Sequence, residues 1–162
     1  MENTFTKTIE TPVGLLNITT NTEFVLSVTF VDDCEQTPDI QPEILEEAVK
    51  QISEYFKGRR KVFNLKLKPS GTDFQTSVWE QVKNVPFGKT SSYLEIARLT
   101  GSEKNTRAVG MANGKNPIPI IIPCHRIIGK NGKLTGYAGG LDKKRWLLKH
   151  ELAFSNNSGK LF

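Results

Sequence analysis

The stretch Asn116-Pro117-Ile118-Pro119-Ile120-Ile121-Ile122-Pro123-Cys124-His125-Arg126 holds the residues best suited to chemistry in this chain. Its three prolines exclude a regular helix and disfavour a sheet interior, which predicts an extended apolar run ending at the thiol. A cysteine acts as a nucleophile in its thiolate form, and nearby cations favour that form. Here His125 and Arg126 follow directly, with Lys143, Lys144 and Arg145 downstream. An isolated cysteine serves equally well as an inert, buried small hydrophobe. Cys124 and His125 do not make a protease dyad by adjacency, because neighbours in an extended chain point to opposite sides. One intervening water would still bring His125 within the reach of a general base.

Other chemistries find less support. The only histidines are His125 and His150 and the only cysteines Cys34 and Cys124, so neither a zinc site nor a disulfide framework is expected. Cys34 reads as a bystander thiol near a strand end. No metal and no cofactor are expected. No apolar run approaches the ~20 residues of a membrane span, and no secretory signal is visible at the N-terminus. A cytoplasmic protein is the expectation. The net charge of +5 is unevenly spread: residues 1–70 balance to −3 and residues 71–162 to +8. A basic C-terminal region suits a polyanionic partner, or is simply a solvated surface.

The elements that must position the thiol follow from periodicity. Alternation through Phe5, Lys7 and Ile9, through Leu16 and Ile18, and through Phe24, Leu26, Val28 and Phe30 predicts three strands. Pro42 suits a first helical position, and Ile44, Leu45, Ala48, Val49, Ile52, Tyr55 and Phe56 share one helical stripe ended by Gly58. Residues 62–67 read as a returning strand. A linker at residues 68–71 then separates a small α/β subdomain, residues 1–70, from a mostly helical domain, residues 71–154. Residues 155–162 read as a flexible tail. In the second domain Thr72 with Gln75 and Ser92 with Glu95 are capping-box signatures. Phe74, Val78, Val82 and Val85 line one helix, which Pro86-Phe87-Gly88 breaks. A short helix through Leu94 to Leu99, a turn at Gly101 and a helix from about Lys104 to Ala112 make a helix-turn-helix outline. That outline fits a packed helical hairpin as well as a DNA reader.

Pro123-Cys124-His125-Arg126, preceded by Asn116-Pro117 and followed by Gly136-Tyr137, Gly139-Gly140 and Leu147-Leu148, resembles the O6-alkylguanine-DNA alkyltransferase family. Ser92-Tyr93 and Arg107-Ala108-Val109-Gly110 extend the resemblance over roughly residues 74–151. The resemblance implies an α+β fold, with a ribonuclease H-like α/β subdomain ahead of a helix-turn-helix DNA-binding domain. It further implies DNA repair by single-turnover transfer of an alkyl group from guanine O6 to Cys124. Double-stranded DNA carrying O6-alkylguanine would be the partner and the protein a monomer; O4-alkylthymine repair and cooperative assembly on DNA stay open.

Roles carried over from the family fall residue by residue. Glu151, His125 and a water would prepare the Cys124 thiolate, with Lys144 near the thiol. Tyr93 would crowd the target phosphate and serve base N3, while Tyr137 and the Ala138 N–H would face O6. Carbonyls of Cys124 and Ile127 would accept from the exocyclic amine. Arg107 would occupy the stack left by a nucleotide flipped through the minor groove, a step costing a few kcal/mol of unstacking. Thr106, Ala108 and Gly110 would lie on the same DNA-facing helix, and Asn116 would tie that helix to the active-site segment. Thr106 replaces an alanine common in the family, and Ala138 a serine found in some relatives. Three readings compete: a lesion-binding relative without transfer, against which Cys124 argues; a helix-turn-helix regulator, which would carry a cysteine-rich zinc domain; and a thiol hydrolase, for which no oxyanion-hole signature is present.

Overall fold

The structure is a computed structural model and describes residues 3–155. It divides into two compact units, one formed by the chain up to Ser70 with Pro117–Pro119, the other by Gly71–Asn116 with the chain from Ile120 onward. Of the expected flexible tail only Ser155 is described; the rest lies outside the described residues.

In the first unit β1 (Phe5–Thr11), β2 (Gly14–Thr20) and β3 (Val25–Val31) form an antiparallel sheet in the order β1-β2-β3. Leu16 and Ile18 of β2 alternate inward at 0% exposure, as the period-two pattern requires. Helix α1 (Glu43–Phe56) lays Leu45, Ala48, Ile52 and Tyr55 against the sheet. It starts after Pro42, which serves as its N-cap, and stops where Gly58 takes φ +75°.

The expected strand at 62–67 does not form. Only Leu67 bridges to Val25, in parallel. The Gln51 side chain takes the backbone pairing instead, accepting from the Asn64 N–H at 2.9 Å and donating to the Asn64 carbonyl at 3.1 Å. Val62, 75% exposed, has no layer to pack on.

In the second unit α2 (Asp73–Lys83) opens on a complete capping box between Thr72 and Gln75 and buries Val78, Trp79 and Val82. Strand β4 (Ser91–Ser92) leads into α3 (Tyr93–Leu99), where the Ser92 hydroxyl accepts from the Glu95 N–H. The Glu95 carboxylate accepts from the Ser91 and Ser92 hydroxyls. After Gly101 a 3₁₀ turn (Glu103–Asn105), capped by Ser102, runs into α4 (Thr106–Gly114), so the second helix of the outline begins later than its sequence suggests. β5 (Ile127–Ile128) pairs in parallel with β4, and α5 (Leu141–Phe154) closes the unit. No helix among the described residues is long and apolar enough to cross a membrane.

The cap is a clean test of this local reading. Thr72→Ala should lower unfolding free energy by about 1 kcal/mol while Thr72→Ser changes it by a few tenths, measured by urea denaturation. An unchanged midpoint for Thr72→Ala would show that the box contributes nothing.

Candidate active site

The segment before Cys124 is folded rather than extended. Ile120, a β-branched residue, takes φ +74°, a strained conformation that a surrounding core must impose. Its side chain is fully buried, as are those of Ile118 and Ile122 to within 1%. Pro123 at φ −81°, ψ 64° makes an inverse γ-turn in which the Cys124 N–H donates to the Ile122 carbonyl at 2.7 Å. Cys124 then begins a 3₁₀ turn through Arg126. The prolines do exclude helix and sheet, but tight turns satisfy the backbone here instead of an open run.

Two amides from the end of α4 brace this turn. Asn116 Nδ2 donates to the Ile122 carbonyl at 2.8 Å and Asn113 Nδ2 to the Cys124 carbonyl at 3.2 Å. The carbonyls on either side of Pro123 are thereby tied to one helix. The Cys124 carbonyl also accepts from the Ile127 N–H, so both its lone pairs are engaged. That leaves the expected role of this carbonyl toward an exocyclic amine without a vacant lone pair. Asn113 went unnoticed in the sequence because an asparagine near a helix end reads as a C-terminal signal.

His125 and Glu151 meet as expected, His125 Nε2 lying 2.6 Å from Glu151 Oε2 with both residues buried. Arg126, considered in the sequence only as a cation near the thiol, turns to the same carboxylate. Its Nε and Nη2 reach Glu151 at 2.8 and 3.0 Å, and Nη1 donates to the Val85 carbonyl at 2.7 Å. The Gly88 N–H also donates to this carboxylate, at 3.2 Å. Gly88 has φ +78°, and a Cβ there would come within 2.7 Å of Ser155 Cβ, so a side chain is excluded. Burial pushes the Glu151 carboxyl pKa up, but His125 and Arg126 outweigh it and hold it well below the usual carboxylate range. An ionised carboxylate only accepts, so the ring proton of His125 sits on Nε2. Burial lowers the His125 pKa against the pull of Glu151, keeping the ring neutral. Nδ1 is therefore a lone pair, buried, with no hydrogen-bond partner among the described residues.

The thiol environment differs from the expectation of several helpful cations. Burial pushes the Cys124 pKa up to about 11, against smaller opposing effects of an Asn116 hydrogen bond and the Lys144 charge. Lys144 is the cation that acts on the sulfur; Arg145 is exposed beside Asp142. Lys144 Nζ donates to the carbonyls of Ile127 and Thr135, each at 2.7 Å, and lies 5.9 Å from the Tyr93 ring centre. Burial lowers its own pKa to about 8.

A cleft of about 790 Å³, within the size range of ligand sites, brings together Tyr93, Thr106, Arg107, Gly110, Tyr137 and Ala138. The Tyr93 hydroxyl accepts from the Thr135 hydroxyl at 3.0 Å. Burial raises the Tyr137 hydroxyl pKa, with Cys124 and Glu151 adding to it, so this group stays a proton donor. Arg107 and Ala108 are exposed on α4, and Ala108 lies outside the cleft lining. Met111 and Gly114 line it from the same helix, unflagged by the sequence pattern. Among the described residues no group of His, Cys, Asp and Glu is arranged to hold a metal.

Two outcomes test this geometry. Arg126→Met leaves the Glu151 charge buried with one partner fewer, so unfolding free energy should fall by about 3–5 kcal/mol in calorimetry; a loss below about 1 kcal/mol would contradict the network. Carbamidomethylation of the Cys124 peptide by iodoacetamide, followed by mass spectrometry, should rise roughly tenfold per pH unit from pH 7 toward about 11. Below about pH 8, where Lys144 is still charged, Lys144→Met should lower the rate at each pH, since it removes a charge that favours thiolate. A plateau below pH 9 would refute the buried-thiol description.

Comparison with known proteins finds the same family in both parts of the chain. The DNA binding domain of 6-O-methylguanine DNA methyltransferase matches residues 73–153, and the ribonuclease-like domain of the same family matches residues 5–69. A methylated-DNA–protein-cysteine methyltransferase of Methanosarcina acetivorans is 48% identical over 147 residues, covering 88% of this chain and 94% of that protein. The Mycobacterium tuberculosis O6-methylguanine methyltransferase structure superposes with a TM-score of 0.85 at 40% identity, covering 94% of this chain and 95% of the other. The M. tuberculosis OGT structure in complex with DNA gives 0.84 at 42% identity, with 93% and 94% covered. With both domains matched in order and relatives this similar over nearly their full length, the chain belongs to the 6-O-methylguanine DNA methyltransferase family.

Proposed function

We propose that this protein repairs alkylated double-stranded DNA by moving the alkyl group from guanine O6 to its own Cys124, once per molecule. The observation that carries this reading is the His125 tautomer. With Nε2 committed to Glu151, the buried Nδ1 lone pair is the general base next in sequence to the thiol. A water between Nδ1 and Sγ would relay the proton. Sγ then attacks the alkyl carbon, the C–S bond forms as the C–O6 bond breaks, and the electron pair leaves on the guanine ring. Lys144 supports the sulfur charge. The Tyr137 hydroxyl and the Ala138 N–H would donate to O6 of the departing base, and Tyr93 to N3. The Ile127 carbonyl, which accepts from Lys144, would also accept the exocyclic amine. The product is a thioether, whose hydrolysis would expel a thiolate from an unactivated carbon, so turnover ends there.

DNA engagement is assigned to α3 and α4. Arg107 is exposed at the rim of the cleft and would fill the stack vacated by the flipped nucleotide. Thr106, Ala108 and Gly110 would contact the groove, and Asn116 would link α4 to the nucleophile's turn. The relative of 42% identity crystallised with DNA supports this assignment. The protein would act as a monomer in the cytoplasm.

Intact and peptide mass spectrometry after incubation with duplex DNA containing O6-methylguanine provides the test. One added methyl on the Cys124 peptide, restored guanine in the DNA, no second round on fresh substrate, and nothing with Cys124→Ala are expected. His125→Ala should slow transfer by about 10²–10⁴-fold. Tight lesion binding with unchanged protein mass would instead assign the chain to lesion sensing.

A further inference from the structure

Met111 stands 67% exposed on α4, one turn beyond Arg107, and lines the same cleft. A lone exposed apolar side chain ordinarily has no meaning. Its neighbours give this one a context. Gly110 precedes it and Gly114 follows three residues later, and both weaken a helix relative to alanine. Neither has a positive φ. A Cβ on Gly114 would meet nothing within 4 Å, and one on Gly110 only the Tyr93 ring at 3.8 Å, an ordinary contact. The protein's own packing therefore requires neither glycine. They clear the surface around a single long, unbranched and soft side chain. Among the described residues Arg107 is the only charged one lining the cleft, and α4 carries no acidic residue. The surface is thus shaped for close approach by something anionic with apolar parts within reach.

We propose that Met111 is a second wedge, entering the minor groove beside Arg107. There it packs on deoxyribose and base edges at the step that the lesion nucleotide leaves. Methionine is among the apolar residues that minor-groove proteins insert at base steps. The thioether carries no charge, so its contribution belongs to the opened duplex and not to phosphate neutralisation. This inference rests on the DNA-repair reading above.

The test uses the full chain with Met111→Gln, Met111→Ala and Met111→Leu. Single-turnover alkylation of Cys124 is measured with duplex DNA carrying O6-methylguanine and with free O6-benzylguanine. The ratio of duplex rate to free-base rate should fall about tenfold for Gln and Ala, the size of partial burial of one such side chain. Leu should restore it to within about twofold. The salt slope of binding to undamaged duplex should stay as in the parent for Met111→Gln and fall for Arg107→Ala. An unchanged rate ratio in Met111→Gln overturns the wedge, as does an equal loss on both substrates, which would make Met111 part of the base pocket alone. If Cys124 of the parent protein is alkylated by neither substrate, the repair reading fails and takes the wedge with it.

Discussion

Taking the Glu151 carboxylate out of water is unfavourable by itself, and the second unit is arranged around offsetting that cost. His125, both donors of the Arg126 fork and the Gly88 amide converge on its two oxygens. Because these donors come from different parts of the chain, the carboxylate joins α5 to the nucleophile's turn and to the loop after α2. The same contacts dictate protonation. Arg126 and His125 keep Glu151 ionised, the ionised acid sets the histidine tautomer, and the tautomer leaves a base at Nδ1. A structural constraint and the proposed preparation of the base are here one set of hydrogen bonds.

The thiol is stored in a quiet form. At a pKa of about 11, roughly one molecule in ten thousand holds a thiolate at pH 7. A high thiol pKa also makes the thiolate, once formed, a stronger nucleophile. Burial thus keeps Cys124 in the thiol form, and in the proposed mechanism His125 and Lys144 control its reactivity. In the proposed single-turnover reaction, that restraint has a clear use.

Helix α4 works on two fronts. Its exposed side presents Arg107, Gly110 and Met111 at the cleft. At its other end Asn113 grips the nucleophile's carbonyl and Asn116 the carbonyl two residues earlier, while Trp79 holds the Ala112 carbonyl at 2.8 Å. A partner that meets the outer side bears on the same rigid element that braces the thiol, and the strained Ile120 backbone shows how firmly that region is held.

Sequence alone was enough for whatever depends on neighbours in the chain. The three N-terminal strands, the α1 stripe, the Thr72 cap and the break at Pro86-Phe87-Gly88 are local choices, and periodicity and turn chemistry express them directly. The tetrapeptide around Cys124 pointed to the family for the same reason. Contacts between distant residues were not legible. Glu151 reads as a solvated helix residue until folding brings it 2.6 Å from His125. Arg126 reads as a cation beside the thiol until its fork is seen on that carboxylate. The strand expected at 62–67 failed because Gln51, thirteen residues before Asn64, captured its backbone. Most of all, charges counted along the chain suggested an activated thiolate, whereas desolvation, a property of three-dimensional enclosure, decided for the thiol.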